Sequence, residues 1–265
     1  MNNIKKIVKE IFSYFNLSIT TKSAYDRLAK NSSSAIDIEL LQSINRDFRS
    51  EYIDYMEHSK SQLRQDLFVL AQHKFKNNGY FVDFGATNGL DLSNTHLLEK
   101  KFMWQGILCE PAIMWHKDLK LNRSSSIDFD CVWKESGHNL TFNETQVGEL
   151  STIDSFSSSD VHAGVRKSGK KYQVKTISLC DLLDKHSAPK IIDYLSIDTE
   201  GSEYEILKKF NYDKYIFSVI TCEHNFTENR KKIFNLLTSK GYKRIFKDIS
   251  RFDDWYIYDH GSKTN

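Results

Sequence analysis

From Gln62 onward, short apolar runs alternate with amphipathic segments, the signature of a parallel sheet whose strands are joined by helices. The pattern predicts a helix over Asp66–Asn77 and a first strand over Tyr80–Phe84. Helical spacing resumes over Leu90–Lys100, and Gly106–Pro111 reads as a second strand. A helix over Ile113–Asn122 leads to a third strand, Ser126–Trp133. A hairpin-like insertion follows, with Asn139–Phe142 as one arm, then a polar loop over Ser155–Lys171 and a returning strand, Gln173–Ser178. After a short helix over Leu179–His186 come the fourth core strand, Ile191–Asp198, and a helix beginning near Ser202. The fifth strand is Phe217–Glu223, with a helix over Glu228–Lys240 behind it. Tyr242–Phe246 and Asp254–Tyr258 close the sheet, with one antiparallel edge expected.

The first 58 residues differ, and the expected division is a helical extension over 1–58 and an α/β domain over 59–265. Ile4, Ile7, Val8, Ile11, Phe12 and Phe15 recur at helical spacing, with Lys5, Lys6 and Lys9 on the other side. Such a helix suits a membrane surface or a partner, or packs on the domain or across a homodimer, the commoner fate of amphipathic helices. A second amphipathic run covers Ile36–Met56.

A formal charge of +2 gives no concentrated basic face and argues against a general nucleic-acid binder. Cys109, Cys131, Cys180 and Cys222 are far apart and lack C-x-x-C spacing, which predicts free thiols in a reducing compartment. No signal peptide and no bilayer-length apolar run is visible, so a cytoplasmic location is expected.

Candidate chemistry begins at the first strand. Asp83 lies near its end, and Gly85-Ala-Thr-Asn-Gly89 makes a tight turn in which glycine lets backbone approach a ligand. A dinucleotide turn reads G-x-G-x-x-G and holds a pyrophosphate on helix amides. Here the middle glycine is missing and an acid precedes the turn, which suits a ligand without phosphates and with positive charge, such as S-adenosylmethionine. Glu110, at the tip of the second strand, is placed to accept ribose hydroxyls.

In a doubly wound sheet the working side chains sit at the carboxyl ends of the strands. Asp198 and Glu200 end the fourth strand, while Glu223, His224 and Asn225 end the fifth beside it. Methyl transfer to an alcohol needs the hydroxyl aligned and its proton removed. His224 is the preferred general base. Asp198, Glu223 and Asn225 are the candidate ligands of a divalent metal, Mg or Mn, that would acidify the hydroxyl instead. Glu200 and Glu203 serve equally well as helix caps. In the 155–171 loop, Arg166 is a candidate for phosphate binding, although such basic runs are mostly solvated, and His162 reaches the site if the loop folds over as a lid.

Taken together, Phe81-Val-Asp-Phe-Gly-Ala86, Leu92-Ser-Asn-Thr95, Gly106-Ile-Leu-Cys-Glu-Pro111 and Leu195-Ser-Ile-Asp-Thr-Glu-Gly-Ser-Glu203 resemble the FkbM family of S-adenosylmethionine-dependent methyltransferases. The similarity starts at Ser61-Gln62 and Gln65-Asp66 and leaves residues 1 to about 58 outside it. It implies a class I methyltransferase, Rossmann-like sheet of seven strands with the last antiparallel, and O-methylation of sugars in bacterial glycans or glycosylated natural products. It further implies that Gln62 and Asp66 fold over the methionine end of the cofactor and that Cys131 and Val132 lie against adenine. Asp83, Gly85, Ala86, Gly89, Asn94, Glu110 and Pro111 would complete the cofactor site. The expected function is therefore sugar O-methylation on a surface glycan or its precursor. The alternatives are a nicotinamide-dependent sugar oxidoreductase and a non-catalytic scaffold of glycan synthesis.

Overall fold

The apolar runs between Tyr80 and Tyr258 become strands because their side chains, buried on both faces, have helices to pack against. In the computed structural model, residues 34–259 are described. The amphipathic stretch from Ile4 to Phe15 lies outside them. The second amphipathic run is not one helix: it divides into a helix over 34–43 and another over Arg49–Tyr55, with a 3₁₀ turn at Arg46–Phe48 between. The described residues from Ile44 to Asp259 belong to one compact unit. Among the described residues, no helix is long and apolar enough to cross a membrane.

The unit is built on seven strands, β1 (Tyr80–Phe84), β2 (Gln105–Cys109), β3 (Ser126–Asp128), β8 (Ile191–Ile197), β9 (Ile216–Glu223), β10 (Tyr242–Ile245) and β11 (Asp253–Tyr258). Their order is β10-β11-β9-β8-β1-β2-β3, and β11 runs antiparallel to both neighbours. This is the doubly wound, seven-stranded arrangement with an antiparallel last strand that the resemblance implies. The chain leaves β1 toward β2 and β3 and later returns on the other side of β1 as β8 and β9, so the topological switch lies between β1 and β8. Ligand crevices form at that point, beyond the strand ends.

A second sheet takes up the intervening residues. Its strands are β4 (Cys131–Trp133), β5 (Asn139–Glu144), β6 (Thr152–Ile153) and β7 (Lys170–Ser178), in the order β4-β7-β5-β6. Its small core contains Cys131, Phe142, Ile153 and Val174. The predicted third strand over 126–133 therefore breaks in two and serves both sheets. The Asp128 carboxylate accepts the Asp130 N–H at 3.0 Å, which turns the chain between them. The predicted helix over 90–100 is also shorter, covering only His96–Phe102. Asn88 Oδ1 accepts the N–H groups of Leu90 and Asp91, and Ser93 Oγ those of Thr95 and His96, so side chains hold residues 90–95 in turns.

Arg123 fixes this glycine-turn segment from below. Its buried guanidinium pairs with Glu99 at 2.9 Å and donates to Gly89 O, Ser93 Oγ and Thr95 Oγ1. Removing the cation strands the partly buried Glu99 and several acceptors at once. The Arg123→Met variant is expected to lose ~3–5 kcal/mol of stability in urea unfolding. A loss below about 1 kcal/mol, the range of a surface pair, would contradict this clamp.

Candidate functional site

A cavity of about 370 Å³ opens where β1, β2, β8 and β9 end, a volume suited to a small ligand. Its floor is the turn after β1. Gly85 and Ala86 donate their N–H groups to Cys109 O at 3.1 and 3.3 Å, and Asp198 N–H donates to Phe84 O at 3.2 Å. Gly85 has φ 79°, and a Cβ there would collide with the carbonyl oxygen of Asp198. Glycine is thus required twice over, by conformation and by the closeness of the β8 backbone.

Around this floor stand carboxylates. Glu110 is fixed by backbone: Oε2 accepts the Thr87 N–H and Oε1 the Ala112 N–H, each at 2.8 Å. Burial pushes its pKa up to about 7, against those two bonds. Asp83 accepts from Thr95 Oγ1 at 2.6 Å, and burial raises it as well. Opposite them, oxygens of Asp198, Glu200 and Glu223 lie within 4.8 Å of one another. Burial is the main cause that lifts all three, and their mutual repulsion adds to it for Glu200 and Glu223. Asp198, which shares a hydrogen bond with Glu223, reaches about 6. Arg166 partly offsets the rise at Glu200, donating Nη2 to Oε2 at 2.8 Å. Asp253, which accepts from Gln65 Nε2 at 2.9 Å, is lifted to about 7 by burial. With Asp91 and Glu149, eight carboxylates line the cavity, and no lysine or arginine does among the described residues. The apolar part of the wall comes from Cys131 and Val132 together with Phe142, Leu150 and Ile153 of the second sheet and its loops.

Most of the residues singled out from the sequence meet here. Gln62, Asp83, Gly85, Ala86, Asn94, Glu110, Pro111, Cys131 and Val132 line the cavity, as do His162, Asp198, Glu200, Glu223 and Asn225. Asn94 donates Nδ2 to Ser196 Oγ at 3.1 Å, which leaves its buried Oδ1 without a partner. Four residues stand elsewhere. Asp66 is buried, accepts from Ser59 Oγ at 2.7 Å and Lys60 N–H at 3.3 Å, and so pins the segment that carries Gln62. Gly89, at φ 74°, packs against Leu119 and Arg123. Arg166 has no exposed guanidinium to offer a phosphate: it is buried in a bidentate pair with Asp160 and a bond to Glu200.

His224 is the fourth. It does not line the cavity; Nδ1 accepts the Phe226 N–H at 3.0 Å and Nε2 lies 3.7 Å from Asp254 Oδ1. Of the metal ligands expected from sequence, Asp198 and Glu223 are brought together, whereas Asn225 turns its Nδ2 to Glu200 at 3.1 Å and Glu200 takes the third position. Glu203 caps, accepting from Thr199 and Gly201 N–H groups. Among the cavity residues that the sequence reading did not single out are Gln65, Asp91, Glu149 and Asp253. The signal for Asp253 was available, since an antiparallel strand starts at the end where its parallel neighbours finish, and Asp253 pairs with Glu223.

A family profile described as the methyltransferase FkbM domain matches residues 83–244. None of the curated proteins compared with it matches the chain. Among solved structures, the chain is similar to methyltransferase FkbM from Methylobacillus flagellatus KT, with 12% identity and a TM-score of 0.43, over 85% of this chain and 59% of that one. Precorrin-6y C5,15-methyltransferase from Geobacter metallireducens GS-15 is similar at 11% identity and a TM-score of 0.39, over 68% of this chain and 72% of that one. The METTL16 methyltransferase domain is similar at 14% identity and a TM-score of 0.38, over 72% and 66% respectively.

Crowded buried carboxylates have a thermodynamic signature. Glu223 titrates far above its ordinary 4.5, so its stability contribution is complete below 4.5 and declines as pH rises toward its folded pKa. Glu223→Gln, which cannot ionise, is expected to melt higher than wild type, with the gain about 3 °C or more larger at pH 8 than at pH 5. An equal difference at both pH values would contradict the crowding.

Proposed function

The chain belongs to the FkbM methyltransferase family, and from that premise we propose that it transfers a methyl group from S-adenosylmethionine to a sugar hydroxyl. The acceptor is part of a bacterial surface glycan or its precursor, and the reaction is cytoplasmic. The observation that carries this reading is the make-up of the cavity. Two fixed acids and an unpartnered amide oxygen stand on its β1–β2 side and a carboxylate group on its β8–β9 side.

The residues present fit the cofactor. Glu110 retains acceptor capacity for ribose hydroxyls. Asp83 and the orphaned Asn94 Oδ1 suit its ammonium, and Cys131 and Val132 offer an apolar surface for adenine. Bound there, it would supply a methyl group on a cationic sulfur. A nicotinamide dinucleotide would need its pyrophosphate held by helix-terminal amides or by cations; here no helix opens from the glycine turn, since the next begins at His96, and the described lining residues include no lysine or arginine.

As the acceptor oxygen forms its bond to the methyl carbon, its proton must leave. Asp198 is the base we assign, because its pKa of about 6 leaves it ionised at neutral pH yet more basic than an ordinary carboxylate. Glu223, held higher, keeps the shared proton and orients Asp198. His224 is thereby released from the role of base. A second reading has its own observation: Asp198, Glu200 and Glu223 present three hard oxygen donors, which suit Mg or Mn. Such an ion would act as a Lewis acid on the acceptor hydroxyl.

Four measurements test these assignments. Surface glycans from cells lacking the gene should lose one methyl group by mass spectrometry; unchanged glycans would contradict the acceptor class. Asp198→Asn should lower kcat by about 10²–10⁴-fold while S-adenosylhomocysteine affinity stays within about threefold. In the wild type, kcat should fall as pH drops below about 6. If EDTA abolishes turnover and Mg restores it, the metal reading replaces the base.

A further inference from the structure

We propose that Phe226 is the stacking platform for the acceptor, an uncharged pyranose, and that His224 is the positioning residue that holds it. The proposal rests on the sugar-methylating reading above and adds to it the acceptor's charge and the residues that grip its ring.

Phe226 is an unusual residue in an unusual place. The residue is 71% exposed although it follows Asn225, which lines the cavity. Asn225 and Phe226 both have positive φ, 44° and 56°. A bulky residue in the left-handed region is a rare outlier, and such outliers persist where surrounding structure enforces them, often at ligand clamps. Here the enforcement is visible. His224 and Asn225 donate their N–H groups to Phe252 O at 2.9 and 3.3 Å, and Thr227 N–H and Oγ1 return to His224 O at 2.8 and 2.9 Å.

The His224 ring completes the turn. Its Nδ1 accepts the Phe226 N–H at 3.0 Å, and the two rings meet edge to face at 5.3 Å. Only an imidazole with Nδ1 unprotonated can accept that bond. The buried histidine beside the cavity, unexplained as a base, thus has a structural task with a functional consequence.

A second exposed apolar residue is likewise next in sequence to a lining residue. Val161 is 85% exposed and precedes His162, a lining residue. The segments bearing Val161 and Phe226 are tied to one atom: Glu200 Oε2 accepts from Arg166 Nη2 at 2.8 Å and from Asn225 Nδ2 at 3.1 Å. Arg166 in turn holds Asp160, next to Val161, at 2.8 Å. Exposed apolar residues flanking segments that carry carboxylates and an amide suit a sugar ring, whose C–H face is apolar and whose edge is hydroxyls. With no lining lysine or arginine among the described residues, the cavity offers no cationic partner to a phosphate or carboxylate on that ring.

The test is saturation-transfer NMR on the S-adenosylhomocysteine complex, titrated with methyl α-glucopyranoside, methyl α-galactopyranoside and methyl α-mannopyranoside. At least one should bind the wild type saturably. Phe226→Ala and His224→Ala should weaken that binding by about tenfold or more. Phe226→Trp keeps a stacking face and His224→Asn keeps an acceptor at the Nδ1 position, so both should remain within about threefold of wild type. S-adenosylhomocysteine affinity, measured by calorimetry, should be unchanged in all four, which also establishes that each is folded. Equal pyranoside binding by Phe226→Ala and wild type would overturn the platform and leave the sugar reading standing. Pyranosides that fail to bind a wild type loaded with S-adenosylhomocysteine would overturn the sugar reading and this proposal with it. Tighter binding of glucuronic acid or glucose 6-phosphate than of the neutral glycosides would overturn the charge assignment.

Discussion

Where β1 ends, the backbone of Gly85 lies so close to the Asp198 carbonyl that no side chain fits between them. That approach joins the two halves of the sheet at their switch point. Asp198 N–H reaches Phe84 O across one side, and Gly85 and Ala86 N–H groups reach Cys109 O across the other. As a result the ends of β1, β2 and β8 are held at one level, and the acids they carry, Asp83, Glu110 and Asp198, face a single cavity. Register extends the effect outward, because Ile197 pairs with Cys222 and Glu223 with Asp253.

Gathering these acids works against stability. Asp83, Glu110, Glu223 and Asp253 are buried and Asp198 is half-buried, and burial disfavours the charged form. The chain moderates the problem without removing it. Glu110 receives two backbone N–H groups, Asp83 a threonine hydroxyl, Asp253 an amide, and Glu200 an arginine. Asp198 and Glu223 receive mainly each other. Unrelieved charge at one corner of a cavity marks where a proton or a cation is wanted, which is the usual pattern at sites of acid–base chemistry. A methyl donor with positive charge and an acceptor that must lose a proton both fit that demand.

The core strands and the acids at their ends were legible in the sequence, since buried parallel strands read as short apolar runs and their ends as polar interruptions. Three things were not. Ser93 looks compatible with a helix, yet its side chain and that of Asn88 in the preceding turn capture nearby N–H groups and delay the helix to His96. The run from Ser126 to Trp133 has the pattern of one strand, and only the bond from Asp130 N–H to the Asp128 carboxylate reveals the turn. Side-chain direction was the third: His224, flanked by Glu223 and Asn225, turns to its own loop, and Arg166 turns inward to Asp160 and Glu200. Residue type at a strand end indicates chemistry, but which way a loop residue points depends on long-range partners such as Phe252 that periodicity does not specify.

The proposed function requires this acidic crevice to take a phosphate-free adenosyl ligand. Calorimetric titration of the purified protein with S-adenosylmethionine, S-adenosylhomocysteine and NAD decides it. Both adenosyl compounds should bind at one site per chain, more weakly in Glu110→Ala, and NAD should give no saturable heat. Saturable NAD binding, or silence with both adenosyl compounds, would contradict it.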